Sequence, residues 1–177
     1  GPFVMFFPLT GENRLLHKFG TTKLMTPIRP GFVALYEEAG IDKSKIGTYA
    51  IGFVIDPRLN AMRRLEHAID SLRLLLTRDP VRAHDLAKKL GLTNEERRRL
   101  TLEMVGHARA SVGDGTNEKL WVVSHSSYEQ GIIGLIAGRL SEEWSRPVIA
   151  IAEGKEISKG SARSIEGFNL VEAIGSA

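Results

Sequence analysis

The sequence predicts an α/β protein, with a helical N-terminal segment and linker followed by a small α/β domain with a mixed sheet. Three observations predict it. Apolar residues recur at helical spacing from residue 13 to residue 112. Gly113-Asp114-Gly115 then punctuates the chain and marks its clearest boundary. Beyond Leu120 short apolar runs alternate with an amphipathic stretch, as strands joined through a helix do.

The first nine residues hold Phe3, Val4, Phe6 and Phe7 almost without interruption, which suggests a strand or edge from a larger core. Residues 13–24 read as a helix with Leu15, Leu16, Phe19 and Leu24 as its stripe. Pro30 and Gly40 bracket a helix over 30–39, with Phe32, Leu35, Tyr36 and Ala39 inward. Residues 41–55 form a connector with Ser44 or Thr48 as possible caps, broken at Asp56-Pro57. Residues 61–77 read as one helix buried through Leu65, Ala68, Ile69, Leu72 and Leu76. Asp79-Pro80 opens another helix that Gly91 closes. Thr93 and Glu96, in capping-box spacing, start a helix over 93–112 that buries Leu100, Met104, Ala108 and Val112. After the boundary, strands are predicted at 120–124, 147–152 and 156–161. A helix is predicted at 131–144, and a last helix, capped by Asn169, at 169–174.

Composition narrows the function classes. The chain has 177 residues, 42% hydrophobic and 25% charged, enough for one or two ordinary globular domains. No apolar run approaches the ~20 residues a membrane helix needs. The apolar start lacks the basic residues and cleavage site of a signal peptide. Cysteine is absent, which suits a cytoplasmic location. The net charge is +3, and arginines cluster at Arg58, Arg63 and Arg64 and at Arg97, Arg98 and Arg99. Such clusters permit phosphate contacts; for Arg97–Arg99 a solvated helix face is the better reading.

The densest chemistry is Lys159-Gly160-Ser161-Ala162-Arg163-Ser164. Read as a short loop, it combines a glycine, two hydroxyls, an ammonium and a guanidinium, a set able to grip an oxyanion or phosphate. Upstream stand residues 128–140, beginning Tyr128-Glu129-Gln130-Gly131-Ile132-Ile133-Gly134, and then Arg146-Pro147-Val148-Ile149. With Pro57-Arg58-Leu59-Asn60-Ala61-Met62-Arg63-Arg64-Leu65 and Pro8-Leu9-Thr10-Gly11-Glu12-Asn13-Arg14, these motifs resemble, in order, RecJ-type single-strand-specific exonucleases of the DHH phosphoesterase superfamily. The resemblance implies three parts: residues 1–55 as the end of a DHH catalytic domain, 56–115 as a helical linker, and 116–177 as a DHH-associated domain that continues past Ala177. It implies a 5′→3′ exonuclease of DNA repair and recombination with single-stranded DNA as partner, no membrane, and the rest of the DHH domain in cis. It also carries over Arg139, Ser161, Arg163 and Ser164 as backbone contacts, beside which the loop chemistry adds Lys159 and Gly160, and Arg58, Asn60 and Arg64 as residues near strand entry.

The family uses manganese or magnesium, and the resemblance places its ligands ahead of residue 1. Met5 stands where the family's last aspartate belongs, and a thioether is a poor ligand for a hard cation. His17, His67, His84, His107 and His125 show no metal-ligand spacing, so this segment is expected to hold no metal and no catalytic residue. Ser124-His125-Ser126-Ser127 lacks a nucleophile-elbow context. Three departures from the family pattern stand out: Tyr128 and Glu129 for Trp-His, Ala162 for glycine, and Arg63 for glycine. Tyr128 still suits base stacking. Two alternatives are a free-standing single-strand-binding module and a relative that hydrolyses small nucleotides. The second branch carries a Gly-Gly-Gly-His loop that residues 160–164 do not match.

Overall fold

A computed structural model describes residues 10–27, 29–65, 68–112 and 118–176. The apolar start with Met5, His67, and Gly113-Asp114-Gly115 lie outside them. The chain divides into two compact units between Glu96 and Arg97.

The first unit is helical. Its helices are α1 (Gly11–Met25), α2 (Pro30–Ala39), α3 (Asp56–Leu65) and α4 (Ile69–Leu76), with the opening part of α5 (Pro80–Val112). Proline at its start and a left-handed Gly40 at its end bound α2 as the sequence predicts. Leu35, Tyr36, Ile46, Ile55, Met62, Leu74, Ala87 and Leu90 make the core. Tyr36 also donates from its hydroxyl to the carbonyl of Leu24, tying α2 to the end of α1. The rest of the predicted α1 stripe stays open, with Leu15, Leu16 and Phe19 more than half exposed.

Five expectations are corrected here. The connector over 41–55 is largely helical, with a 3-10 turn at Lys43–Lys45 and a π-helical turn at Ala50–Ile55 that runs directly into α3. Asp42, not Ser44 or Thr48, caps the 3-10 turn by accepting from the Ser44 amide. Pro57 does not break the run, which passes from the π-helical turn into α3 without a gap. The helix predicted over 61–77 folds back on itself. Ser71 Oγ donates to the carbonyl of Leu59 at 2.7 Å, whereas twelve residues of straight helix span about 18 Å. The turn changes the phase of the buried face, so Leu74 is buried while Ile69, Leu72 and Leu76 are exposed.

The fifth correction is Gly91. It ends nothing: α5 runs unbroken from Pro80 to Val112, and Thr93 is a buried interior residue rather than a cap. Asp79 does cap the start, its carboxylate accepting from the Val81 amide. A Cβ on Gly91 would lie 1.9 Å from Glu38 Oε1. The glycine is therefore there to let α2 come close, which local sequence punctuation cannot distinguish from a helix stop.

The second unit begins at Arg97 within α5 and contains β1 (Trp121–His125), α6 (Ile133–Trp144), β2 (Val148–Ala152), β3 (Lys159–Arg163) and α7 (Leu170–Gly175). The sheet is mixed, as predicted: β1 is parallel to β2 and β3 antiparallel to it, in the order β1-β2-β3. Val123, Val148 and Ala150 are buried on one face, with Ile133, Ile136, Ala137 and Leu140 of α6 buried beside the sheet. Met104, Val105 and Ala108 of α5 are buried, close to the predicted set. Arg109 donates twice to the carboxylate of Glu143, fixing α5 to α6. Asn169 caps α7 by accepting from the Glu172 amide. The last strand is shifted from the predicted 156–161 to Lys159–Arg163, so the supposed phosphate loop is an edge strand.

Candidate nucleic-acid interface

Strand geometry sorts the β3 side chains. Alternate residues point to opposite faces, so Lys159, Ser161 and Arg163 share one face and Gly160 and Ala162 the other. The first three stand opposite Ala152, Ala150 and Val148, the buried face of β2. This is the face that α6 covers. Gly134, in the first turn of α6, is where Ser161 and Arg163 approach that helix. A Cβ built there would lie 3.1 Å from Ser161 Oγ and 3.4 Å from Arg163 Nη2. The absent side chain lets the hydroxyl and the guanidinium rest over the N-terminal turn of a twelve-residue helix. That end of a helix carries a partial positive charge. The Ile132 and Ile133 amides are already given to the carbonyl of Glu129. Arg163 is half-buried and its Nη1 donates to the Ala162 carbonyl at 2.8 Å, which fixes the fork against its own strand.

The other residues singled out on this unit are placed differently. Lys159 is exposed at the start of β3. Gly160 is in ordinary extended backbone, since its φ is not positive, and a Cβ there would make only normal contacts. Its freedom to turn is therefore not used. Ser164 follows the strand and donates its one hydroxyl proton to the Phe168 carbonyl at 2.6 Å. To serve a phosphate it would have to give up that bond. Arg139 is exposed on α6, five residues beyond Gly134 and so about 140° round the helix. It does not join Ser161 and Arg163.

Arg58, Asn60 and Arg64 belong to the helical unit, on α3. Arg58 is engaged within the fold: its Nε donates to Glu38 Oε2 at 2.7 Å and its Nη1 to the Val54 carbonyl at 3.0 Å. Both ends of the Arg58–Glu38 pair are about four-fifths buried. Asn60 and Arg64 are half-buried, and Arg64 also has an interaction within the fold. Arg63, in place of a small residue, points to solvent and disturbs nothing.

Tyr128 corrects the stacking reading. It is 4% exposed, and burial pushes its phenol pKa up. Its hydroxyl meets His107 Nδ1 at 3.1 Å, and the His107 and His125 rings lie 4.3 Å apart beside it. No base can reach a ring enclosed in this way. His107 and His125 thus act in packing, and the Ser127 amide donates to His125 Nδ1. The sequence pointed to Ser124–Ser127 only as a failed nucleophile site; the neighbouring His107 comes from α5, earlier in the chain.

The donor set does not suit a divalent metal. Among the described residues no group of three or more His, Cys, Asp or Glu side chains could hold one. The histidines there face Thr48, Glu37, Tyr128 and Ser127 rather than carboxylate clusters. No described helix is long and apolar enough to cross a membrane.

Comparison with known proteins agrees with this architecture. The DHHA1 domain family matches residues 117–177. The single-stranded-DNA-specific exonuclease RecJ of Bacillus subtilis is 35% identical over 98% of this chain, which spans 22% of that protein. RecJ of Escherichia coli is 34% identical over 94% of this chain, here 30% of the relative's length. The crystal structure of Thermus thermophilus RecJ in complex with Mg2+ superposes with a TM-score of 0.85 at 33% identity. That match covers 96% of this chain and 26% of the solved one, and a Mn2+ complex of the same protein gives a TM-score of 0.84. The chain spans less than a third of the length of these RecJ relatives, over almost all of its own. Over almost all of its length the chain is similar to a segment of the RecJ-type single-stranded-DNA-specific exonucleases, and its residues 117–177 match the DHHA1 domain.

Proposed function

We propose that this chain supplies the strand-holding part of a RecJ-like 5′→3′ exonuclease of DNA repair and recombination, working in the cytoplasm, and not its metal site. The metal-binding DHH domain would act in cis, and a backbone phosphate of single-stranded DNA would sit against β3. The observation that carries this reading is the convergence of Ser161 Oγ and Arg163 Nη2 over Gly134. Arginine offers paired donors to phosphate oxygens, the hydroxyl offers a third, and Lys159 adds charge from the rim. Such contacts position a strand without reading its bases. Arg58 is assigned to the fold, since its guanidinium is already held by Glu38 and Val54.

Titration of a labelled oligonucleotide, followed by incubation with manganese or magnesium, tests this. The chain should bind single strands of any sequence, with affinity falling as salt rises, and release no mononucleotides. Lack of binding at low salt, or metal-dependent hydrolysis by nuclease-free protein, would overturn the proposal.

A further inference from the structure

We infer that the helical unit carries a second single-strand contact, in which a nucleobase stacks on the Tyr49–Phe53 pair and the adjoining phosphate lies along α1. The two rings stack on each other, with centroids 4.7 Å apart and planes 13° from parallel. They sit four residues apart on the helical turn that becomes the π-helix Ala50–Ile55, a spacing that brings side chains together. Yet the pair is not core. Tyr49 is 71% exposed and Phe53 50% exposed. Mutual stacking fixes both rings, while the outer surface of Tyr49 is left to solvent. A rigid, open aromatic face is what an unpaired base needs, because every base has a π-face.

The surroundings favour a nucleic acid over an apolar protein partner. Thr48, next to Tyr49, meets His17 Nε2 of α1 at 3.1 Å. His17 lies within an open groove of about 580 Å3 lined by Arg14, His17, Lys18, Thr21 and Thr22. Arg14 and Lys18 are both exposed, and none of the described residues lining the groove carries a carboxylate. Cations that track a backbone beside aromatic rings that accept bases are the two halves of a single-strand platform. The π-helical turn contributes by its wider register, a feature often found at functional sites.

This contact presupposes that the chain holds single strands, and fluorescence anisotropy with labelled oligo(dT) separates the two ideas. Tyr49→Ala should weaken binding about tenfold, the order of one lost base–aromatic stack, and leave the salt slope unchanged. Tyr49→Phe should bind like the parent, since the ring is kept. An oligonucleotide of the same length made of abasic sites should bind the parent and Tyr49→Ala equally. Lys18→Ala should flatten the salt slope by roughly 0.7, the value of one single-strand phosphate contact. A folded Tyr49→Ala protein that binds oligo(dT) as the parent does, while Arg163→Ala binds it less well, would overturn this second contact alone. Failure of the parent to bind at any salt would overturn both.

Discussion

Replacing Gly31 by alanine should destabilise the helical unit by about 3 kcal/mol and lower its melting temperature by roughly 10 °C or more. A Cβ there would fall 1.9 Å from the carbonyl oxygen of Leu74 and 2.8 Å from its carbonyl carbon. Both are backbone atoms of α4, and Leu74 itself is fully buried in the core. No side-chain rotation can relieve the overlap, so α2 and α4 must separate and loosen the packing of Leu35, Tyr36 and Met62. The helix propensity gained is at most about 1 kcal/mol. Circular dichroism during heating gives the result; an unchanged melting temperature would mean the two helices do not meet at Gly31.

Gly91→Ala sets two effects against each other. Alanine in the interior of α5 should gain about 1 kcal/mol. Its methyl group, however, would occupy the position of the Glu38 carboxyl group, 1.9 Å from Oε1 and 2.5 Å from Cδ. Glu38 would have to swing away from Arg58, its partner at 2.7 Å. Breaking a buried pair costs about 3–5 kcal/mol. Arg58 keeps its bond to the Val54 carbonyl and the pair is about one-fifth exposed, so the lower part of that range applies. The net expectation is a loss of about 2 kcal/mol. In a Glu38→Ala background the clash is gone, and the same change should be neutral or stabilising by up to about 1 kcal/mol. Equal losses in both backgrounds, read from urea unfolding, would show that Glu38 is not what Gly91 accommodates.

These glycines also mark where local sequence signals stop. Helix α2 was legible because proline and glycine punctuate both its ends. The β1–α6–β2 alternation was legible because its apolar runs keep one period each. Gly91 was read as a stop because its reason for being there is Glu38, more than fifty residues earlier. The turn between α3 and α4 was missed because Leu65 to Leu76 keeps helical spacing across it. In the candidate site, Ser161 and Arg163 were singled out by residue type together with the family resemblance. Their shared seat on Gly134 needed the sheet and helix to be assembled. The partners that occupy Arg58 and Ser164, and the histidine that encloses Tyr128, are likewise non-local or backbone groups.

The most direct measurement of the strand-holding claim is the salt dependence of oligonucleotide binding by Arg163→Ala beside the parent chain. The account predicts weaker binding to single strands of any sequence and a salt slope smaller by roughly 0.7. Arg163→Lys should recover only part, since an ammonium lacks the planar fork. A melting curve shows whether each variant is folded. Folded Arg163→Ala with the affinity and salt slope of the parent would contradict the claim that β3 holds a phosphate.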